Sequence, residues 1–289
     1  MFQRRYALIC AALCAFAGSA RANGPVSVLY AGSLVKLMEH DVGPAFNKAS
    51  GDTFQGFGAG SNAIANQIKG KLRRGDVFVS ADPKVNNNLT GDANGGWVSW
   101  YVNFAQSPVV IGYNPSSRFA AELKTKKWYE VLQEPGIKIG RTDPKLDPKG
   151  ALTVQLLATA EKTYNMPGLS QKVLGAADNP DQVRPEENLV GSLQSGQLDV
   201  GFFYSTETAD LKIPSIPLPP EVALSAHYTI TTLKDAPNAQ GAIQFVIFLL
   251  GTQGNQLLKE HGVDTIKPTI SGDAAGVPAD IYSLVDKAK

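Results

Sequence analysis

Cysteine is almost absent from this sequence of 289 residues, which contains only Cys10 and Cys14. Both lie in the first 22 residues, where Arg4 and Arg5 precede an apolar run and small residues occupy the two positions that a signal peptidase reads. We expect residues 1–22 to be a signal peptide that is cleaved after Ala22. The mature chain would then contain no disulfide, which is typical of a bacterial periplasmic protein that is stable through core packing alone.

Long hydrophobic runs are also lacking. The apolar stretch of the leader is shorter than the roughly 20 residues that cross a bilayer. The longest later run, residues 242–250, contains Gln244 and lies in a region of helical spacing. The sequence therefore predicts no membrane span in the mature chain, which we expect to be located in the periplasm.

Neither sign of charge is in large excess. The chain has 27 Lys and Arg against 26 Asp and Glu, and without the three arginines of the leader the net charge of the mature chain becomes −2. No stretch combines dense lysine and arginine with aromatic residues in the way that nucleic-acid-binding faces do. We therefore expect no nucleic-acid partner.

Histidine is scarce, with three residues at positions 40, 227 and 261. The sequence has no zinc-ligand spacing, and no Gly-x-Ser-x-Gly motif that would present a nucleophilic serine. These absences predict a protein that is not an enzyme and has no resident cofactor. A periplasmic serine hydrolase built from Ser61 and His227 is the alternative from a different functional class.

The sequence does contain a regular alternation of strand-like and helix-like segments. Runs of β-branched and aromatic residues predict strands at residues 26–30, 77–80, 108–113, 137–139 and 198–204. Helical spacing of apolar residues predicts helices at residues 34–47, 62–71, 151–164 and 186–195. This alternation predicts an α/β protein with largely parallel sheets. A chain of this length more often forms two domains than one larger core.

Three segments combine the end of a strand, a turn of small residues and the start of a helix. They contain Gly32-Ser33, Gly60-Ser61 and Asp147-Pro148. The first N–H groups of a helix have no partner within the helix and carry the positive end of its dipole, so such turns can bind an anion with serine hydroxyls as further donors. In the simpler interpretation, Ser33 and Ser61 only cap their helices, and Asp147 only forms a turn. Two Gly-Ser turns in one chain favour an oxyanion site.

Short motifs carry a family resemblance that covers about residues 26–268. In chain order they are Ala31-Gly32-Ser33-Leu34, Gly58-Ala59-Gly60-Ser61, Ser80-Ala81-Asp82, Asn103-Phe104-Ala105, Trp128-Tyr129-Glu130-Val131-Leu132, Gly140-Arg141, Asp147-Pro148, Leu193-Gln194-Ser195-Gly196-Gln197-Leu198-Asp199 and Leu218-Pro219-Pro220-Glu221. In this order they resemble the periplasmic tungstate/molybdate-binding proteins of ABC importers, in particular the archaeal type.

The resemblance implies a type II periplasmic binding protein, in which two α/β lobes are joined by two hinge strands and a ligand cleft lies between them. We expect residues 23–104 and 228–289 to form the first lobe, and residues 105–227 to form the second. The implied function is capture of tungstate or molybdate and its delivery to an ABC permease in the inner membrane. We expect the protein to act as a monomer.

The resemblance also implies the residues of the site. Asp147 and Glu221 would be ligands to the molybdenum or tungsten of the bound oxyanion, Ser33 and Ser61 would supply hydroxyl and amide groups, and Tyr204 would be a further ligand-binding residue. Glu221 is otherwise an ordinary solvated carboxylate. Two ionised carboxylates would repel sulfate, whereas molybdenum(VI) and tungsten(VI) can take carboxylate oxygens as ligands. Within the binding class, another oxyanion such as phosphate is the alternative ligand.

Overall fold

A computed structural model describes residues 24–176 and 178–287. The predicted signal peptide, with Cys10 and Cys14, lies outside these residues. Strands and helices alternate along the described chain, so the predicted α/β class is confirmed. None of the helices in this part of the chain is both long and apolar enough to cross a membrane.

The strands form one mixed sheet. They are β1 (Pro25–Ala31), β2 (Thr53–Ala59), β3 (Val77–Ser80), β4 (Trp100–Tyr113), β5 (Ile139–Gly140), β6 (Val200–Tyr204), β7 (Ser215–Pro217), β8 (Ser225–Thr232) and β9 (Asp264–Gly272). The strand order is β2-β1-β3-β8-β4-β6-β5, and β7 and β9 also pair with β4.

Helices connect and cover these strands. They are α1 (Val35–Leu37), α2 (Gly43–Ser50), α3 (Ser61–Lys69), α4 (Pro83–Asn87), α5 (Ala120–Leu123), α6 (Trp128–Val131), α7 (Pro148–Thr163), α8 (Leu169–Leu174), α9 (Glu186–Gln194), α10 (Ser205–Asp210), α11 (Ala239–Leu250), α12 (Thr252–Glu260) and α13 (Ala279–Lys287). Short 3-10 segments occur at Gly32–Leu34, Asp92–Asn94 and Ala274–Gly276, and a π-helical turn occurs at Met38–Val42.

The sheet is less parallel than the sequence suggests. β1 pairs in parallel with β2 and β3, and β5 pairs in parallel with β6. β8 runs antiparallel to β3 and β4, and β4 runs antiparallel to β6, β7 and β9. The expectation of largely parallel sheets is therefore wrong. The direction of pairing between distant segments leaves no mark on the local hydrophobic period from which the strands are predicted.

The long strand β4 belongs to both parts of the sheet. Its residues 100–106 pair with β9, its residues 102–108 pair with β8, and its residues 109–113 pair with β6. We call β1, β2, β3 and β9 the first half-sheet, and β5, β6 and β7 the second half-sheet. The predicted lobe boundaries, after residues 104 and 227, fall inside β4 and β8. The division into lobes stays a prediction.

Apolar faces of the helices form much of the core. In α11, Ala242, Phe245, Val246 and Leu249 recur at helical spacing and are all buried. Phe245 packs edge-on against Phe46 of α2, with ring centroids 5.1 Å apart. Burial of a side chain of this kind contributes about 1.5–3 kcal/mol to stability. α11 also packs against β1 and β3 of the first half-sheet.

Strand β2 is not among the segments predicted from the sequence, and its glycines explain why. Gly56 and Gly58 weaken the local strand signal because glycine has low strand propensity. In the structure a Cβ atom at Gly58 would lie 2.5 Å from a methyl group of Val35 and 2.8 Å from the ring of Tyr30. Glycine is therefore required here by close packing.

Candidate functional site

Two Gly-Ser turns lie side by side at the carboxyl ends of β1 and β2. The two strands are parallel, and Ala31 pairs directly with Ala59, so the turns Gly32-Ser33 and Gly60-Ser61 emerge at the same edge of the sheet. Neither serine caps its helix with its side chain: Gly60 is the N-cap of α3, and Ala31 precedes the first 3-10 segment. The interpretation of Ser33 and Ser61 as simple N-caps is therefore wrong.

Each turn faces one carboxylate from a segment that is distant in the chain. A Cβ atom at Gly32 would overlap the Cγ atom of Glu186, and a Cβ atom at Gly60 would lie 3.0 Å from Oδ2 of Asp147. The Ala63 amide in α3 also donates to the Leu146 carbonyl at 2.9 Å. The two glycines thus allow the segments that precede α7 and α9 to approach the first half-sheet closely.

Asp147 is the N-cap of α7. Its Oδ1 accepts hydrogen bonds from the Lys149 amide at 2.8 Å and from the Thr142 hydroxyl at 3.0 Å, while Oδ2 faces Gly60. Burial and the nearby charge of Glu186 raise the pKa of Asp147 to about 7. One oxygen of this carboxylate is therefore held by the protein, and the other faces the Gly60-Ser61 turn.

A buried lysine joins two further carboxylates at the floor of the site. Lys149 Nζ lies 2.9 Å from Oε1 of Glu186 and 2.9 Å from both carboxylate oxygens of Glu207. Burial tends to lower the pKa of Lys149, but Glu186, Glu207 and Asp147 together raise the pKa above its ordinary value, so the amine stays charged. Burial, with Glu186 adding to it, raises the pKa of Glu207 to about 7.

Two buried polar atoms at this site have no hydrogen-bond partner within the described residues. They are Oε2 of Glu186 and the hydroxyl oxygen of Tyr204. Burial, and then the negative charge of Asp147, raise the pKa of Tyr204 well above 10, so the phenol keeps its proton and can donate it to a bound group. A buried polar group without a partner is costly, and a ligand is one way to satisfy it.

The remaining donors are Ser33 and Ser61, which follow β1 and β2, and Tyr228 of β8. The hydroxyls of Ser33 and Tyr228 are 2.9 Å apart, and Tyr228 packs edge-on against Tyr204 with ring centroids 6.3 Å apart. Ser61 is fully buried, and its oxygen accepts a hydrogen bond from the Ala81 amide at 3.2 Å. The structure thus brings Ser33, Ser61, Asp147 and Tyr204 into one region.

The structure does not bring Glu221 to this region. Glu221 is exposed, and its Oε1 lies 3.5 Å from the hydroxyl of Tyr164. Asp147 is the N-cap of α7 and Tyr164 is its C-cap. Since α7 has 16 residues, at about 1.5 Å of rise per residue the two carboxylates lie near opposite ends of a helix about 24 Å long. The turn at Pro219 and Pro220 places Glu221 on the surface, near the C-terminal end of α7.

The serine hydrolase alternative also finds no support in the geometry. Ser61 Oγ is buried and bonded to the Ala81 amide, whereas the side chain of His227 is exposed. Among the residues that the structure describes, no hydrogen bond joins Ser61 to a histidine. A base beside the hydroxyl is what such a mechanism requires.

Three residues of the site were not predicted as functional from the sequence. They are Lys149, Glu186 and Glu207. Charged residues are usually exposed, so nothing in their local pattern distinguishes them from surface charges. Only their positions in the sequence could have pointed to the site, because Lys149 follows the Asp147-Pro148 turn and Glu186 begins a predicted helix.

The site can hold a small anion whose oxygens accept hydrogen bonds and whose central atom accepts lone pairs from carboxylate oxygens. α3, α7 and α9 begin at its edges, and their first amides and dipoles favour an anion. Asp147 and Glu186 present carboxylate oxygens to the same space. A cavity of about 310 Å³, lined in part by Gly60, Ala63, Leu146, Asp147 and Glu186, leads from the surface to these two carboxylates.

Comparison with known proteins finds relatives among the solute-binding proteins. The sequence profile of the bacterial extracellular solute-binding proteins matches residues 26–264. An uncharacterised solute-binding protein of Petrotoga mobilis is 31% identical over 260 residues, covering 78% of this chain and 79% of the relative. A molybdate/tungstate-binding protein of Thermococcus kodakarensis is 27% identical over 280 residues, covering 81% of this chain and 78% of the relative.

Solved structures show the same fold. The periplasmic molybdate-binding protein of Azotobacter vinelandii matches with a TM-score of 0.63 at 18% identity, over 82% of this chain and 98% of that one. The substrate-binding domain of a putative molybdenum ABC transporter from Clostridium difficile matches with a TM-score of 0.55 at 20% identity, over 84% and 100%. The expected type II periplasmic-binding-protein fold is thereby confirmed.

Proposed function

We propose, from the premise that the chain belongs to the family of bacterial extracellular solute-binding proteins, that it binds molybdate or tungstate in the periplasm and delivers it to an ABC permease in the inner membrane. In this proposal the protein acts as a monomeric carrier without catalysis of its own. It needs no resident cofactor, because the molybdenum or tungsten arrives as part of the cargo.

The observation that carries the proposal is the pairing of two Gly-Ser turns with two carboxylates. Gly60 faces Asp147, and Gly32 faces Glu186. Helix starts, serine hydroxyls and the Tyr204 phenol would donate to the oxygens of an oxyanion. The carboxylates would repel sulfate, but they can act as ligands to molybdenum(VI) or tungsten(VI), so the combination favours these metal oxyanions.

The names of relatives support the same ligand. The Thermococcus kodakarensis relative is named for molybdate and tungstate, and a Haloferax volcanii relative, 29% identical over 224 residues, is named as a putative ABC transporter molybdenum-binding protein. Within the described residues, no cluster of three or more His, Cys, Asp or Glu side chains is arranged to hold a bare metal ion. The donor set therefore suits an oxyanion better than a free cation.

We assign Asp147 Oδ2 and Glu186 Oε2 as the carboxylate ligands to the metal of the oxyanion. Ser33, Ser61 and Tyr204 would contact its oxygens. This assignment replaces Glu221 with Glu186, because Glu221 lies near the far end of α7.

Calorimetric titration of the mature protein with tungstate, molybdate, sulfate and phosphate tests the proposed ligand. We expect saturable binding of tungstate and molybdate, and no displacement of either by excess sulfate or phosphate. Binding of phosphate or sulfate alone would contradict the proposed metal oxyanions and identify that anion as the ligand. Binding of none of the four would refute the proposal.

A further inference from the structure

Lys149 lies in an environment that is unusual for a lysine. Its side chain is fully buried, its Nζ contacts Glu186 and Glu207 at 2.9 Å, and the rings of Phe203 and Tyr204 lie 5.4 Å from it. Buried ion pairs are weak contributors to stability, because desolvation offsets much of their attraction. A cluster of this kind beside a binding site calls for another role.

The contact with Glu186 fixes the orientation of that carboxylate. Lys149 holds Oε1, and the other oxygen, Oε2, has no hydrogen-bond partner within the described residues. The Cγ atom of the same side chain lies against Gly32. The glutamate is thus held at one oxygen and along its stem, which leaves Oε2 as the group that can bind a ligand.

The contact between Lys149 and Glu207 balances the negative charge of that carboxylate. Both oxygens of Glu207 face Lys149, and Oε2 also accepts the Tyr204 amide at 2.8 Å. Glu207 is thereby turned back toward its own helix start, and its charge is balanced by the ammonium. Without this balance three buried carboxylates would face an incoming anion.

We propose that Lys149 is a positioning residue of the binding site: it acts through Glu186, holding Oε1 so that Oε2 is presented to the ligand. The proposal rests on the proposed function, since it concerns how the same site binds its oxyanion. It predicts that loss of Lys149 matters for binding only while Glu186 is a carboxylate.

A double-mutant cycle tests this dependence, with tungstate as the probe. Lys149→Met alone would leave Glu207 as an unpaired buried charge and could unfold the protein. The cycle therefore starts from Glu207→Gln, and adds Lys149→Met, Glu186→Gln, or both. Circular dichroism and thermal unfolding verify that each variant is folded, and calorimetry gives its dissociation constant.

We expect Lys149→Met to weaken tungstate binding by roughly 30-fold or more when Glu186 is present. In the Glu186→Gln background, we expect the same change to cost less than about threefold. Equal losses in both backgrounds, or no loss in either, would overturn the positioning role. The dissociation constant of Glu207→Gln itself is the reference for the three added variants, and its difference from the wild type concerns the role of Glu207 and not the positioning by Lys149.

The two proposals fail in different ways. If the wild type binds none of the four anions, the proposed function is refuted before the cycle begins. If it binds phosphate or sulfate instead, the cycle is run with that anion. Additive losses there would overturn the role of Lys149 independently of the choice of ligand.

Discussion

Gly32 and Gly60 are the residues that allow the carboxylates to reach the Gly-Ser turns. A methyl group at Gly32 would overlap the side chain of Glu186. Overpacking of this kind costs about 1–3 kcal/mol, and we expect Gly32→Ala to weaken tungstate binding by roughly 5- to 150-fold.

Gly191→Ala provides the matched control for this prediction. Gly191 lies on the exposed side of α9, and a Cβ atom there would have nothing within 4 Å. Calorimetry should find its tungstate affinity unchanged. If Gly32→Ala binds as tightly as Gly191→Ala, the close approach of Glu186 to this turn is not part of the bound state.

Glu186 and Glu221 are the two alternative glutamate ligands for the metal of the oxyanion. The family resemblance implies Glu221 as a ligand, whereas the structure places Glu186 in the site and Glu221 beside Tyr164. We expect Glu186→Gln to weaken tungstate binding by roughly 30-fold or more, because a buried charged ligand is lost.

Glu221→Gln should leave tungstate affinity unchanged in the same calorimetric titration, because its carboxylate is exposed at the other end of α7. The reverse result would mean that the ligand-bound arrangement differs from this structure. It would restore Glu221 as the ligand implied by the resemblance.

In helix α7, Asp147 has both a structural role as the N-cap and a proposed role in binding the ligand. Asp147 caps the helix through its bond with the Lys149 amide. Asparagine is an equally good cap and carries no charge, so we expect ligand-free Asp147→Asn to melt no lower than the wild type at pH 8. Asp147→Ala should lose about 1 kcal/mol, or about 2–4 °C.

Both variants should lose tungstate binding, since neither supplies a carboxylate ligand. Thermal unfolding without ligand and calorimetry with tungstate measure the two effects separately. Equal melting temperatures for Asp147→Asn and Asp147→Ala would argue that the cap contributes nothing. Retained tungstate affinity in either variant would exclude Asp147 as a ligand.

The turns of the site could be predicted from the sequence because their signals are local. Gly32-Ser33, Gly60-Ser61 and Asp147-Pro148 each join a strand end or loop to a helix start, and such patterns depend only on neighbouring residues. Glu186 and Lys149 could not be identified in this way. They are 37 residues apart, and only the folded chain shows that both are buried.

The buried carboxyl groups of the site make the stability of the whole protein depend on pH. The pKa values of Asp147 and Glu207 rise to about 7 on folding, from ordinary values of 3.8 and 4.5. A carboxyl group with a raised pKa binds its proton more tightly in the folded state. Its contribution to stability is therefore full below its unfolded pKa and is lost as the pH rises through the folded value.

We expect the free energy of unfolding of the ligand-free protein to fall from about pH 4 and to level off above about pH 8. Urea unfolding at a series of pH values measures this slope. The double variant Asp147→Asn with Glu207→Gln is the control, and its slope over the same range should be shallower. An unchanged slope would show that these two groups do not titrate on folding.

The order of strands could not be predicted from the sequence for the same physical reason as the buried charges. β8 lies between β3 and β4 in the sheet, although more than 100 residues separate it from either strand in the chain. The hydrophobic period of a segment predicts that it is a strand, but not which strand it will join. The overall fold class was predictable because the alternation of element types extends along the whole chain.

We propose that a metal oxyanion binds between the two Gly-Ser turns and the carboxylates of Asp147 and Glu186. A crystal of the mature protein grown with tungstate, measured at a tungsten absorption edge, would locate the metal directly. We expect the strongest anomalous peak within bonding distance of Asp147 Oδ2 and Glu186 Oε2. A strongest peak beside Glu221 and Tyr164, or no peak between the turns at saturating tungstate, would contradict it.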